Sequence, residues 1–209
     1  MVFQILQQGP GIAVAFILAL VIAITVHEFA HALAGFLQGD MTAKSEGRLT
    51  LNPLAHLDPM GSIMLLLAGF GWGKPTPYNP YNLRYPKWGP ALVALAGPAA
   101  NFLLVVVFLV ALKFAYPGLG PENLLTVFME LLVFINLMLM VFNLLPLPPL
   151  DGSQVLFTFL PPRFNDFKAR LIRNGPMILL AFIIIDNFLP VSIFGSIYTF
   201  FLRLVSFFV

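Results

Sequence analysis

Polar positions are sparse along this chain and fall in blocks, so that long apolar runs alternate with short polar stretches. The first run covers residues 11–37 and stops at Gly39-Asp40, a turn signal. A second covers about 88–116, and a third starts near Glu122 and runs into a proline cluster at 146–149. Two shorter runs follow, 175–189 and 191–209, divided by Pro190. An apolar helix of roughly 20 residues crosses the hydrocarbon core of a bilayer. The pattern therefore predicts an all-α polytopic membrane protein with about five transmembrane helices, the first three forming a core and the last two a helical pair over about 174–209.

Three segments between these runs read differently. Residues 59–70 are apolar, but a helix of that length reaches only about 18 Å against a hydrocarbon core of about 30 Å. A re-entrant or interfacial element is expected there. Residues 42–51 alternate polar and apolar around Glu46-Gly47, a period-2 pattern that predicts a small membrane-associated β-hairpin. Residues 71–86, rich in Gly and Pro, predict an irregular loop.

Composition agrees with a membrane protein. Apolar residues make up 59% of the chain and charged residues 10%, well below the roughly 25% charged of an ordinary soluble domain. The 209 residues suit one membrane-embedded domain with little water-soluble mass. The net charge of +2 does not point to nucleic acid, because the basic residues sit between spans. Nine of the 11 Lys and Arg (Lys44, Arg48, Lys74, Arg84, Lys87, Arg163, Lys168, Arg170, Arg173) fall in two loops that share a side if 59–70 does not cross. The positive-inside tendency makes that side cytoplasmic. With no cysteine, disulfides and thiolate metal sites are excluded. The N-terminal stretch lacks a basic region and a cleavage site, so the first apolar run is expected to stay in place.

The candidate chemistry starts in that first run. His27 and His31 stand four residues apart and share one helix face, so both imidazoles can reach one ion. Glu28 is turned about 100° from His27 and can flank the ion without binding it. There it can take a proton from a metal-bound water. Ionisable groups this deep in an apolar helix are costly and are functional by default; an interfacial polar patch is the bland alternative. An open tetrahedral zinc site still lacks one protein ligand. Asp151 is the outstanding candidate, at the end of the third run in the segment Asn143-Leu-Leu-Pro-Leu-Pro-Pro-Leu-Asp-Gly. Its prolines stop the helix, and unwound backbone at membrane depth survives only when buried or lining a wet cavity. A Pro-rich turn at the membrane surface is the alternative.

The pair His-Glu-Phe-Ala-His and Asn-Leu-Leu-Pro-Leu-Pro-Pro-Leu-Asp-Gly resembles the motifs of the site-two protease family of intramembrane zinc metalloproteases. Gly97-Pro98-Ala99-Ala100-Asn101, the segment Asn52-Pro53-Leu54-Ala55-His56-Leu57-Asp58-Pro59 and the Gly-Trp-Gly-Lys-Pro stretch are similar to its compact prokaryotic branch, without PDZ or CBS domains. The resemblance covers roughly residues 10–155. It implies one zinc held by His27, His31 and Asp151, with Glu28 as general base and Asn143 orienting the scissile carbonyl. It further implies transmembrane protein substrates in a lipid bilayer and a prokaryotic plasma membrane, and the loop charges put the active site towards the cytoplasmic side.

Other polar residues carry weaker signals. His56 beside Asp58 could form a second metal site, although a capped loop histidine is the commoner situation. Glu130 and Asp186 read as interfacial or hydrogen-bonded groups, and Asn101 with the small residues around Gly97 as a close-packing surface. Two rival functions share the same residues, an ion transporter and a catalytically silent metal-binding scaffold. Bound zinc and cleavage of a spanning substrate separate them. The 42–51 edge could capture an unwound substrate by strand addition.

Overall fold

The computed structural model describes residues 7–68 and 71–206. Eight α-helices follow in order among the described residues: α1 (Pro10–Leu37), α2 (Thr42–Ser45), α3 (Pro59–Ala68), α4 (Gly89–Leu119), α5 (Leu124–Asn143), α6 (Asp151–Phe159), α7 (Asn165–Phe188) and α8 (Ile193–Ser206). Their ends follow local chemistry. Pro10 opens α1, where its missing N–H costs nothing. The Asn123 side chain accepts the Leu125 N–H at 2.9 Å to start α5. Gly39 and Gly120, with φ of 98° and 75°, turn the chain just past α1 and α4.

The helices α1, α4 and α5 form the bundle, with the most extensive packing between α4 and α5. Ala19 and Ala23 lie fully buried on α1 against Leu132 and Ile135 of α5. Small residues at that seam let the backbones approach, which matters in lipid, where apolar side chains gain little from leaving the solvent. A second cluster joins Val105 and Leu112 of α4 to Met129, Val133 and Leu137 of α5, with Phe194 and Tyr198 of α8 packed against it. Only a third of the most apolar windows of α1 and α4, and half of that of α5, is buried inside the protein. The remaining surface, including Val14, Leu18, Leu103 and Val110, needs lipid around it.

Among the described residues, three helices are long and apolar enough to cross a membrane, namely α1, α4 and α5. The expected count of five spans is not reached. The fourth run is the C-terminal part of α7, whose first half is polar (NDFKARLIRN), and α8 has 14 residues, about 21 Å of helix. These two helices do form a pair. Asp186 accepts the Ile193 N–H and the Ser192 hydroxyl, both at 2.6 Å, so that its carboxylate caps the start of α8. Glu130 likewise makes an interhelical hydrogen bond, receiving the Tyr116 hydroxyl. Both acids therefore hold helices together, as their positions suggested.

The β-hairpin expected at 42–51 is absent, and no strand occurs among the described residues. Residues 42–45 form one helical turn instead. Asp40 starts it by accepting the Thr42 N–H at 3.2 Å and its hydroxyl at 2.6 Å. Gly47, with φ of 70°, ends it: Arg48 N–H reaches Ala43 O at 2.8 Å and Gly47 N–H reaches Lys44 O at 3.0 Å, the paired bonds of a Schellman cap. Alternation over ten residues could not outweigh these two end signals. The short apolar segment is a helix, α3, started by Asp58, which accepts the Gly61 N–H at 2.7 Å; residues 69–70 lie outside the described residues.

The irregular loop has a defined course. One antiparallel bridge pairs Leu57 with Gly73, and Lys74 N–H reaches His56 O at 2.8 Å. Arg48, only 3% exposed, donates to the carbonyls of Lys74 at 2.5 Å and Pro75 at 3.1 Å. Asp40 takes the Asn79 N–H at 2.8 Å. Burial alone would raise the Asp40 carboxyl, but its bonds from Thr42, Asn79 and Asn82 hold it below the usual range. Arg48 is thus a structural anchor rather than a solvated loop cation. Residues 73–79 form a strap tied at both ends across α1.

Candidate metal centre

Helical spacing on α1 and a proline-forced turn after α5 bring three donor atoms together. His27 Nε2 and His31 Nε2 lie 3.0 Å apart. Asp151 Oδ2 lies 3.2 Å from the first and 3.3 Å from the second. This is the one such group of His, Cys, Asp or Glu among the described residues. The imidazoles are 6% and 8% exposed, so water does not separate the donors.

Asp151 arrives by a tight route. The chain leaves α5 at Asn143, turns through three prolines and re-enters a helix at Asp151. The turn closes so tightly on itself that a Cβ at Gly152 would lie 2.5 Å from Leu145 O, which explains the glycine after the aspartate. Asp151 then stands in the first turn of α6, where a negative charge is favoured.

Each imidazole is fixed from behind. His31 Nδ1 lies 2.7 Å from Val93 O, and His27 Nδ1 lies 2.6 Å from Asn101 Oδ1. Both partners come from α4. A carbonyl only accepts, so His31 donates through Nδ1 and its neutral ring leaves a lone pair on Nε2. That lone pair faces the second imidazole and a carboxylate oxygen with no other hydrogen-bond partner. Lone pairs this close repel unless a proton or a cation sits among them. The triangle of about 3.0–3.3 Å matches the spacing of ligands on a tetrahedral zinc with bonds of about 2.0–2.1 Å. The residues present therefore fit zinc.

Gly97 completes the cradle. A Cβ there would come within 2.6 Å of Cε1 of both His27 and His31. The small residues of α4 do pack closely, as read from the sequence, and what they pack against is the pair of imidazoles.

Glu28 faces the strap. Its Oε2 accepts the Thr76 N–H at 2.9 Å and the Thr76 hydroxyl at 2.8 Å. Its Oε1 lies on the Gly73 side, 3.8 Å from where a Cβ would be. Thr76 was not legible as a site residue, because a lone Thr in a Pro-rich loop has no motif; the contact arises from the strap's anchors. Tyr78, also on the strap, has its hydroxyl pushed above the usual range by burial and then by the nearby Asp151 charge, so it stays a neutral donor.

The remaining candidates fall elsewhere. The one side-chain hydrogen bond of Asn143 goes to Leu139 O at 3.0 Å, within its own helix, and not to the three donors. His56 is fully buried and bonds Thr50 O through Nε2 at 2.8 Å, while Asp58 caps α3. They form no second metal group.

Comparison with known proteins gives this geometry a family. The chain is 44% identical over 154 residues to YwhC of Bacillus subtilis, named as a candidate zinc metalloprotease, covering 70% of this chain and 69% of YwhC. The profile described as Peptidase family M50 matches residues 120–185. The chain belongs to peptidase family M50, the site-two protease family. Rip2 of Mycolicibacterium smegmatis, whose name carries the same candidate activity, is 30% identical over 182 residues, covering 83% of this chain and 68% of Rip2. The zinc metalloprotease MJ0392 of Methanocaldococcus jannaschii is 32% identical over 89 residues, or 43% of this chain and 25% of that protein. No solved structure matches. The M50 profile takes in Asn143 and Asp151 but not the histidines. Membership supports a protease function; the assembly of the three donors is read from the geometry.

Proposed function

We propose that this chain is an intramembrane zinc endopeptidase in which His27, His31 and Asp151 hold the zinc and Glu28 is the general base. One observation carries the reading: two neutral-capable imidazoles and a carboxylate converge within 3.0–3.3 Å inside a bundle whose outer surface is apolar. Zinc bound there supplies a Lewis acid that makes water a nucleophile near neutral pH and polarises a carbonyl.

The chain's own residues do the rest. The hydrogen bonds from Asn101 and Val93 hold the imidazoles in place. Glu28 takes the proton from the attacking water and returns it to the leaving amine, as the residue beside the first ligand of this motif can. Thr76 holds one oxygen of that carboxylate, leaving the other for the proton. Asn143, at the end of α5, would orient the substrate carbonyl once its carboxamide leaves Leu139 O. A substrate helix hides its peptide bonds in its own hydrogen bonds, so it has to unwind before it can be cut.

Depth follows from α1. His31 precedes Leu37 by about 9 Å of helix, and that end leads into the basic loops, so the site lies towards the cytoplasmic side. Purified protein in liposomes should cut a spanning substrate in the cytoplasmic half of its helix, mapped by mass. Gly or Pro placed in that half should speed the reaction, and a Leu-rich replacement should slow it. Cuts confined to the outer half would overturn the orientation. Zinc-loaded protein that cuts no spanning substrate carrying Gly or Pro would overturn the activity.

A further inference from the structure

We propose that Asn101 and Asn136 form a one-way hydrogen-bond relay, running from the Leu132 carbonyl on α5 to the His27 ring on α1, that fixes His27 in the tautomer able to bind metal through Nε2. The proposal rests on the metal-ligand reading of His27 and adds two positioning residues to it, both on helices that supply no ligand.

The relay has a forced direction. Leu132 O can only accept, and Asn136 meets it at 2.7 Å, so Asn136 presents its Nδ2 there. Its Oδ1 is then turned towards Asn101, where it accepts from Nδ2 at 2.7 Å. The other Asn101 N–H points to Ala23 O, again only an acceptor, at 3.3 Å. With both N–H groups committed, Asn101 has its Oδ1 left for His27 Nδ1 at 2.6 Å. That ring nitrogen must therefore donate, and the neutral ring carries its lone pair on Nε2, facing Asp151 and His31.

Asn101 and Asn136 are both fully buried, so no water enters to reverse the order. Asparagine suits both positions because its acceptor and its donors sit on opposite arms. A serine hydroxyl could run either way and would fix nothing. The relay does for His27 what the Val93 carbonyl does directly for His31, and it ties the metal site to the packing of α1, α4 and α5.

The test uses the detergent-purified full chain. Zinc dissociation constants are measured by chelator competition, and ring nitrogen spectra are recorded on zinc-free protein labelled with 15N at histidine. Asn136→Leu keeps a side chain of similar size but removes the acceptor, freeing Asn101 to turn its amide towards His27. Zinc affinity should fall by about 10–100-fold, and the His27 signal should lose its Nδ1–H pattern. Asn136→Asp, whose neutral acid donates its hydroxyl to Leu132 O and keeps an acceptor facing Asn101, should restore affinity to near the parent's. Thr126→Val, which removes another fully buried polar group from α5, should leave zinc binding unchanged. Affinity in Asn136→Leu within twofold of the parent, while His27→Ala has lost zinc, overturns the relay. If His27→Ala binds as tightly as the parent, the ligand assignment falls instead. The parent spectrum still decides the relay in that case: Nδ1–H at His27 supports it, and Nε2–H overturns it.

Discussion

Gly97→Ala is expected to abolish zinc binding and proteolysis without removing any ligand. The new methyl would meet Cε1 of His27 and of His31 at 2.6 Å. These are ring atoms, tied through the adjoining Nδ1 to Asn101 at 2.6 Å and to Val93 at 2.7 Å on the same helix as Gly97, so they cannot move away from the methyl without losing those bonds. Either both rings rotate or α1 and α4 separate, and each outcome breaks the convergence on Asp151. Overpacking in a close-packed interior costs about 1–3 kcal/mol, which a bundle of this size can survive. The loss of zinc affinity should exceed the about 10–100-fold seen when a ligand loses its supporting hydrogen bond. Chelator competition on protein with parental helicity is the check, and zinc binding equal to the parent's would show that the rings do not lie against Gly97.

Glu28→Gln should remove activity while leaving zinc in place. The carboxylate is not among the three converging donors, and a carboxamide keeps the oxygen that Thr76 holds by two hydrogen bonds. What disappears is the proton acceptor, so cleavage should fall by at least about 10²–10⁴-fold, the usual contribution of general acid–base catalysis. Zinc content and turnover measured on the same preparation separate the possibilities. Loss of zinc would make Glu28 a ligand, and retained turnover would remove it from the mechanism.

The two histidines, the glutamate and the distant aspartate were legible because each breaks a strong rule. Polar groups stand in an apolar helix at one-face spacing, and a carboxylate follows prolines that forbid a helix. The three long spans were legible for the converse reason, that their apolarity has no use outside lipid. The last two runs looked the same by composition. Their shortness was visible; what was not is that the fourth run continues a helix whose first half is polar and that Asp186 caps the start of α8. The 42–51 alternation misled because Asp40 and Gly47, not the pattern between them, decide that turn. Asn136, Thr76 and Arg48 were not legible at all. Their partners lie 35, 48 and 26 or 27 residues away, and no local pattern marks a side chain whose role is set by another helix.

The central claim is that His27, His31 and Asp151 together hold one zinc ion. It is tested most directly by elemental analysis of the purified chain and of Asp151→Ala after identical zinc loading, with helicity recorded on both. Asp151 is the decisive ligand, because it lies over a hundred residues from the histidines in sequence and only 3.2–3.3 Å from them in space. One zinc per chain in the parent and its loss from folded Asp151→Ala is the result predicted here. A folded parent that retains no zinc, or an Asp151→Ala protein that holds it as tightly, would contradict the claim.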